Sequence, residues 1–278
     1  LVVVAGLIGL MFLPQLCAEN GQNGSSEPYM ATVAPFEEAP TVDGTIKPGE
    51  WDGALHLPAL MNYRNDFVVP YGCEVYFGFT RRNVYMAIVS ELPPDGELKA
   101  KQTRRDADGM IWDDGIEIYL DPNRENRAEG RPGREFYHYH GNSKGAFLDV
   151  EFSSQGAPDK GWNGNWNVAN GVHSQDGVWV QELSLPMKDL GVKANEVFGR
   201  DFGVLVARNI KRGVGWLQAP WFPHEGAFVS VDKYPLIRLT ENAPTVSLDS
   251  LGGLDLHEGP IKLDARIFNP GPARQAVV

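Results

Sequence analysis

The strongest constraint on this chain is a strict alternation of apolar side chains that recurs in short runs. In "CEVYFGFT", Cys73, Val75, Phe77 and Phe79 fall on one side of an extended backbone, since successive strand side chains point to opposite faces. In "DDGIEIYLDP", Ile116, Ile118 and Leu120 alternate with Glu117 and Tyr119. Long helical periodicity is absent. Turn residues separate the runs, which predicts hairpins. "NVYMAIVSE" follows "CEVYFGFT" after "RRN", "REFYHYHGN" meets "GAFLDVEF" around "GNSKG", and "WNVANGVH" meets "GVWVQELSLP" around "SQDG". "MKDLG" predicts one helical turn closed by Gly191, and "DFGVLVARNIK" and "YPLIRLT" supply further strands. With 31 Gly and 20 Pro in 278 residues, many short strands joined by turns are expected. The expected fold is all-β: an antiparallel, jelly-roll-like β-sandwich.

The ends of the chain read differently. "LVVVAGLIGLMFLPQLCAEN" is an apolar run that turns polar abruptly, too short for a membrane span and lacking a basic anchor after it. Residues 1–18 are expected to be the hydrophobic core and cleavage region of a secretory signal, cut at Ala18, with the initiator Met and basic segment upstream of Leu1. A lipoprotein signal through Cys17 is the weaker reading, because "PQLC" lacks small residues before the cysteine. Residues 19–35, polar and rich in Gly and Ser, read as a linker. The main domain is expected over residues 36–243. After Pro244 the alternation restarts, with Ile261, Leu263, Ala265 and Ile267 in register. A strand pair buries no core alone, so residues 244–278 are expected to open a second β-sandwich domain that continues past Val278.

Charge excludes one class of partner. The net charge is −11, and such a surface repels nucleic acid. Neutral sugars and cations remain compatible. After signal cleavage no membrane association is expected, and Cys73 is the only cysteine left, a small apolar strand residue.

Catalytic signals are sparse. "GNSKG" spells G-x-S-x-G but reads as a turn between two strands rather than one entering a helix, so no nucleophile elbow and no phosphate-binding glycine loop is expected. Asp113, Asp114, Glu117, Asp149, Glu151 and Glu182 could in principle supply a carboxylate pair for glycoside cleavage, but 36 acids in one chain make chance pairs common. "HYH" puts His138 and His140 on one strand face, a zinc-compatible spacing that would need a third ligand such as His224. The plainer reading is two half-exposed imidazoles alternating with Tyr137 and Tyr139. The turn "DPNREN" offers Asp121, Asn123 and Asn126 as hard oxygen ligands for calcium. Tryptophan is the most informative residue. Trp51 and Trp179 sit in core-like patterns, whereas Trp112, Trp162, Trp216 and Trp221 lie at strand ends or in Gly- and Pro-rich loops. An exposed indole backed by acids and amides suits the C–H face of a pyranose.

Several motifs together carry a resemblance. "PTVDGTIKPGEWDGA", "VYFGFTRRNVYMAIVSE", "WDDGIEIYLDP", "GVWVQELSLPMKDLG", and "FGVLVARN" with "KYPLIRL" resemble, in order, the successive motifs of carbohydrate-binding module family 9, from about Ala39 to Thr240. The resemblance implies an antiparallel β-sandwich that clamps a saccharide between two aromatic rings, with structural calcium nearby. It places Trp112 as one ring, shifted by one position, and Asp114 and Glu117 as hydroxyl acceptors. The second aromatic position holds Phe228 rather than Trp, with Trp216 or Trp221 as substitutes. Glu117 has a purely structural alternative, pairing with Arg134 or Arg208 inside the sandwich. The expected function is a secreted, non-catalytic binding module for oligosaccharide or polysaccharide. It would serve polysaccharide degradation by further domains of the same chain, such as a glycoside hydrolase. Two alternatives stand beside it. One is a haem-holding electron-transfer domain of the related DOMON type, using Met86, Met110, His138 or His140. The other is a structural surface module without ligand, which a buried Trp112 would favour.

Overall fold

A computed structural model describes residues 30–58, 72–122, 136–153, 157–212, 215–221, 224, 227–250 and 264–269. The alternating runs form strands where expected. β3 (Cys73–Phe79) and β4 (Asn83–Glu91) form one hairpin, β6 (Phe136–Asn142) and β7 (Phe147–Phe152) a second, and β9 (Asn167–His173) and β10 (Val178–Pro186) a third. The turn Met187–Leu190 is 3₁₀, closed by Gly191 at φ 69°, a left-handed cap that glycine adopts without steric cost.

Two sheets pack face to face. The first runs β1 (Met30–Val33), β13 (Leu236–Leu239), β11 (Asp201–Arg212), β5 (Gly115–Asp121), β6, β7 and β8 (Pro158–Asp159). β12 (Gly215–Pro220) pairs with the far end of β11. The second sheet runs β2 (Leu55–Leu57), β3, β4, β10 and β9. Between them lies the core. Val75, Phe77 and Phe79 of β3, Met86 and Ile88 of β4, and Leu183 of β10 meet Ile116, Ile118 and Leu120 of β5 and Val204 and Val206 of β11. The alternation therefore reports the sandwich interior. Among the described residues no helix is long and apolar enough to cross a membrane.

The outer faces are also covered, which alternation alone does not reveal. Over the second sheet, Trp51 and Ala54 pack on Tyr85 and Ala87, with Phe36 edge-on to Trp51 at 5.8 Å. On the first sheet every residue of β5 and β6 is buried. There the outer face carries polar side chains held in a hydrogen-bonded cluster.

The boundaries depart from expectation in two places. The linker expected over 19–35 ends by Met30, because Met30–Val33 pair in parallel with Leu236–Leu239 and bury Ala31 and Val33. This pair is also the exception to an otherwise antiparallel first sheet. After residue 244, β14 (Thr245–Ser250) and β15 (Asp264–Phe268) form their own two-stranded sheet. That sheet abuts the sandwich: the Ala34 N–H donates to Thr245 Oγ1 (3.1 Å), Ser247 Oγ donates to the Ala54 carbonyl (2.7 Å), and Leu248 joins the core.

Candidate functional site

Register builds the site. β5 pairs with β6 so that Glu117 stands opposite His140 and Tyr119 opposite His138. On the other side β11 places Ala207 opposite Glu117 and Asn209 opposite Gly115. Since alternate residues share a face, Glu117, Tyr119, His138, His140 and Asn209 all rise from the outer face of the first sheet.

Glu117 is the hub. Its Oε2 lies 3.1 Å from His138 Nε2 and accepts the Tyr119 hydroxyl at 2.9 Å, while Oε1 accepts from Asn209 Nδ2 at 2.6 Å. The Tyr119 and His138 rings stack at 4.1 Å. Burial alone would push the Glu117 carboxyl up, yet the hydrogen bonds from His138 and Asn209 and the neighbouring imidazoles more than offset it. The net shift is below the usual carboxylate range, so the carboxylate is charged. His140 differs, for burial lowers its imidazole to about 4 against the opposing pull of Glu117, and neither of its ring nitrogens has a hydrogen-bond partner among the described residues. The expectation of two half-exposed imidazoles is corrected: His138 and His140 are 8% and 0% exposed, because the central strands are covered on both faces. Glu117 pairs with His138 rather than with Arg208; Arg134 lies outside the described residues.

Beside the hub, the preceding acids anchor the loop that delivers Trp112. Asp113 accepts from the Lys101 and Gln102 N–H groups (2.8 and 3.0 Å) and from Asn142 Nδ2 (2.9 Å). Asp114 accepts from the Lys99 and Lys211 N–H groups (2.7 and 3.0 Å) and pairs with Arg208 at 3.2 Å. Asp114 is 0% exposed, so its carboxylate is a structural clamp and not an acceptor for a ligand hydroxyl. Asp149 and Glu182 are committed too. Asp149 holds Arg105 (2.7 Å) and the Gly164 N–H (2.8 Å), and Glu182 holds the Asp43–Thr45 backbone. Held by these clamps, the 3₁₀ turn Met110–Trp112 leaves the Trp112 indole 65% exposed. Lys211 Nζ stands 5.3 Å from its ring centre, within cation–π range.

Comparison with known proteins gives a fold. No family model matches the sequence, and no curated protein does. Solved structures do. A candidate carbohydrate-binding protein from Bacteroides uniformis superposes with TM-score 0.57 at 12% identity, covering 77% of this chain and 100% of its own. A carbohydrate-binding module of family 9 from Caldicellulosiruptor kristjanssonii, solved with cellotriose, gives TM-score 0.54 at 13% identity, covering 77% and 95%. A family 9 module from the same organism, solved with glucose, gives 0.53 at 13%, covering 81% and 100%. The chain has the family 9 fold.

Within that fold the second expected aromatic is not presented. Trp221 is 3% exposed, and its indole N–H donates to the Val204 carbonyl at 3.2 Å inside the core. Phe228 is 7% exposed and packs edge-on against Tyr119 at 6.2 Å. Both rings were expected at a saccharide, and packing takes both faces away. Trp216 lies in β12 opposite Lys211, and Trp162 packs on Tyr137 at 4.9 Å. For calcium, Asp121 is fully buried at the end of β5, while Asn123 and Asn126 lie outside the described residues. For haem, Met86 lies on the inner face of β4, across the first sheet from His138 and His140. No chemical motif marks Asn209 and Lys211, and the one local signal for them is that "ARNIK" alternates them with Arg208 and Ile210.

Proposed function

We propose that this domain binds a saccharide, with Trp112 as the stacking platform at the edge of the first sheet's polar face. The exposure of that indole carries the reading: Trp112 is 65% exposed, whereas Trp51, Trp179 and Trp221 are 4%, 0% and 3% exposed. An indole left in water forgoes burial worth about 1.5–3 kcal/mol but offers a flat apolar surface to pyranose C–H groups. Lys211, itself buried, backs the ring from the protein side. The fold shared with modules solved with cellotriose and glucose supports this reading, and the reading without ligand lacks the buried Trp112 that would favour it. Two clefts of about 620 and 540 Å³ lie elsewhere, the first beside Phe36 and Phe268 and the second beside Arg82 and Met187. A platform open to solvent suits an extended glycan better than either.

On this reading the protein is secreted, and the domain holds polysaccharide for degradation by other parts of the same chain. Calcium at the β5 end, with Asp121 among its ligands, belongs to the same proposal. Affinity electrophoresis against soluble plant and algal polysaccharides, with cellotriose calorimetry alongside, tests it. Retardation by at least one glucan is expected, and no binding to any glycan in a broad array would sink it.

A further inference from the structure

The geometry points to a second, separate site: we propose that Glu117, His138 and His140 form a three-ligand site for a zinc-class divalent ion. One ligand atom from each of the three lies within 4.8 Å of the others, and His138 Nε2 and Glu117 Oε2 are already 3.1 Å apart. Donors around a tetrahedral ion at about 2.0–2.1 Å sit roughly 3.3 Å from one another, so the His138–Glu117 pair already has that spacing and closure falls to His140. Two imidazoles with one carboxylate are a borderline-soft donor set, suited to zinc and its transition-metal neighbours rather than to calcium.

Three observations separate this cluster from an ordinary buried network. His140 is 0% exposed, and both its ring nitrogens lack a hydrogen-bond partner among the described residues, a state that is costly unless something binds them. Gly115 leaves the space His140 occupies, since a Cβ there would stand 2.5 Å from His140 Nε2. Glu117 is oriented by Asn209, which donates to the Oε1 that His138 does not contact, and by Tyr119, which donates to Oε2, the outer support that metal-ligating carboxylates characteristically have. Of the surrounding charges, Asp113 favours a cation next to His140 and Lys211 opposes it. The third ligand comes from β5, next door in the sheet, and not from His224, whose Nε2 lies 3.0 Å from the Ala227 carbonyl. The site is independent of the saccharide reading.

The test uses the full chain without a histidine tag, stripped with chelator and titrated with zinc chloride by calorimetry. One equivalent is expected. His138→Gln, His140→Gln and Glu117→Gln should each weaken binding at least tenfold, and Asn209→Ala roughly tenfold through loss of orientation. His173→Gln, outside the cluster, should bind like the parent. Circular dichroism checks that each variant is folded, and cobalt substitution gives a readout on the parent alone: intense visible bands indicate low-symmetry nitrogen and oxygen ligation. A folded, stripped parent that takes up no zinc at micromolar concentration would overturn the site. So would a cobalt spectrum identical to the aqua ion, or folded ligand variants that bind as the parent does.

Discussion

Lys211 Nζ stands 5.3 Å from the centre of the Trp112 ring, and that ring is the most exposed large apolar group among the described residues. If this ring is the saccharide platform, Trp112→Ala should weaken glycan binding by about 1–3 kcal/mol, the value of one aromatic stack on a planar ligand. Trp112→Phe should retain part of the affinity. Because the ring is outside the core, melting temperatures of both variants should match the parent. Calorimetry with the tightest glycan, paired with a thermal melt, reads both quantities. Unchanged affinity in Trp112→Ala would remove Trp112 from the site.

Glu182 should be among the most costly residues to change. Its Oε2 accepts from the N–H groups of Asp43 (2.9 Å), Gly44 (2.7 Å) and Thr45 (3.3 Å), and its Oε1 from Trp51 Nε1 (3.1 Å). It thereby ties the loop over the second sheet to β10. Glu182→Ala leaves these donors without an acceptor, a loss of about 3–5 kcal/mol by analogy with a broken buried pair. Urea denaturation should show it, with Glu182→Gln intermediate. A loss below about 1 kcal/mol would mean that the loop is held mainly by Trp51 packing.

Cys73 predicts an alkaline pH dependence. Burial raises its thiol from 9.0 to about 11, with the hydrogen bond to Ser90 opposing. The unfolded chain therefore loses this proton at lower pH than the folded one, and the contribution is present below pH 9 and lost as pH rises from 9 toward 11. The stability difference between the parent and Cys73→Ala should narrow between pH 8 and pH 10.5. In native protein at pH 8 the thiol should also resist iodoacetamide, read by peptide mapping at Cys73. Rapid modification would show that the strand opens locally.

Truncation at residue 36 should destabilise the domain, since it removes β1. Val33 is 0% exposed and Ala31 6%, and full burial of a valine contributes about 1.5–3 kcal/mol. The loss also opens the edge of β13 to intermolecular pairing. A protein beginning at residue 30 should melt higher and aggregate less than one beginning at 36. Equal melting temperatures would make β1 dispensable.

Millimolar calcium should raise the melting temperature, by about 2.7 kcal/mol of stabilisation at a hundredfold excess over Kd. Asp121→Ala should abolish most of that gain. Identical melts in calcium and in chelator would leave Asp121 as a structural acid only.

The hairpins were legible in the sequence because each is a local event. A period of two and a turn between neighbours suffice for β3–β4, β6–β7 and β9–β10, as do the left-handed glycine after Leu190 and the inner faces of β5 and β11. β1 and β12 were not legible. β1 is four residues that become a strand only because residues 236–239 lie beside them, and β12 takes its identity from β11. Local sequence carries no record of such distant partners.

The site divides the same way. Sequence alone placed His138 and His140 on one strand face and set Trp112 before a pair of acids. Tertiary structure decided the rest. The β5–β6 register brought Glu117 opposite His140, and packing sent Trp221 into the core while Trp112 stayed in water. Alternation reports which side of a strand a residue occupies. Whether that side meets solvent, a second sheet or a neighbouring carboxylate depends on chain segments far away in sequence.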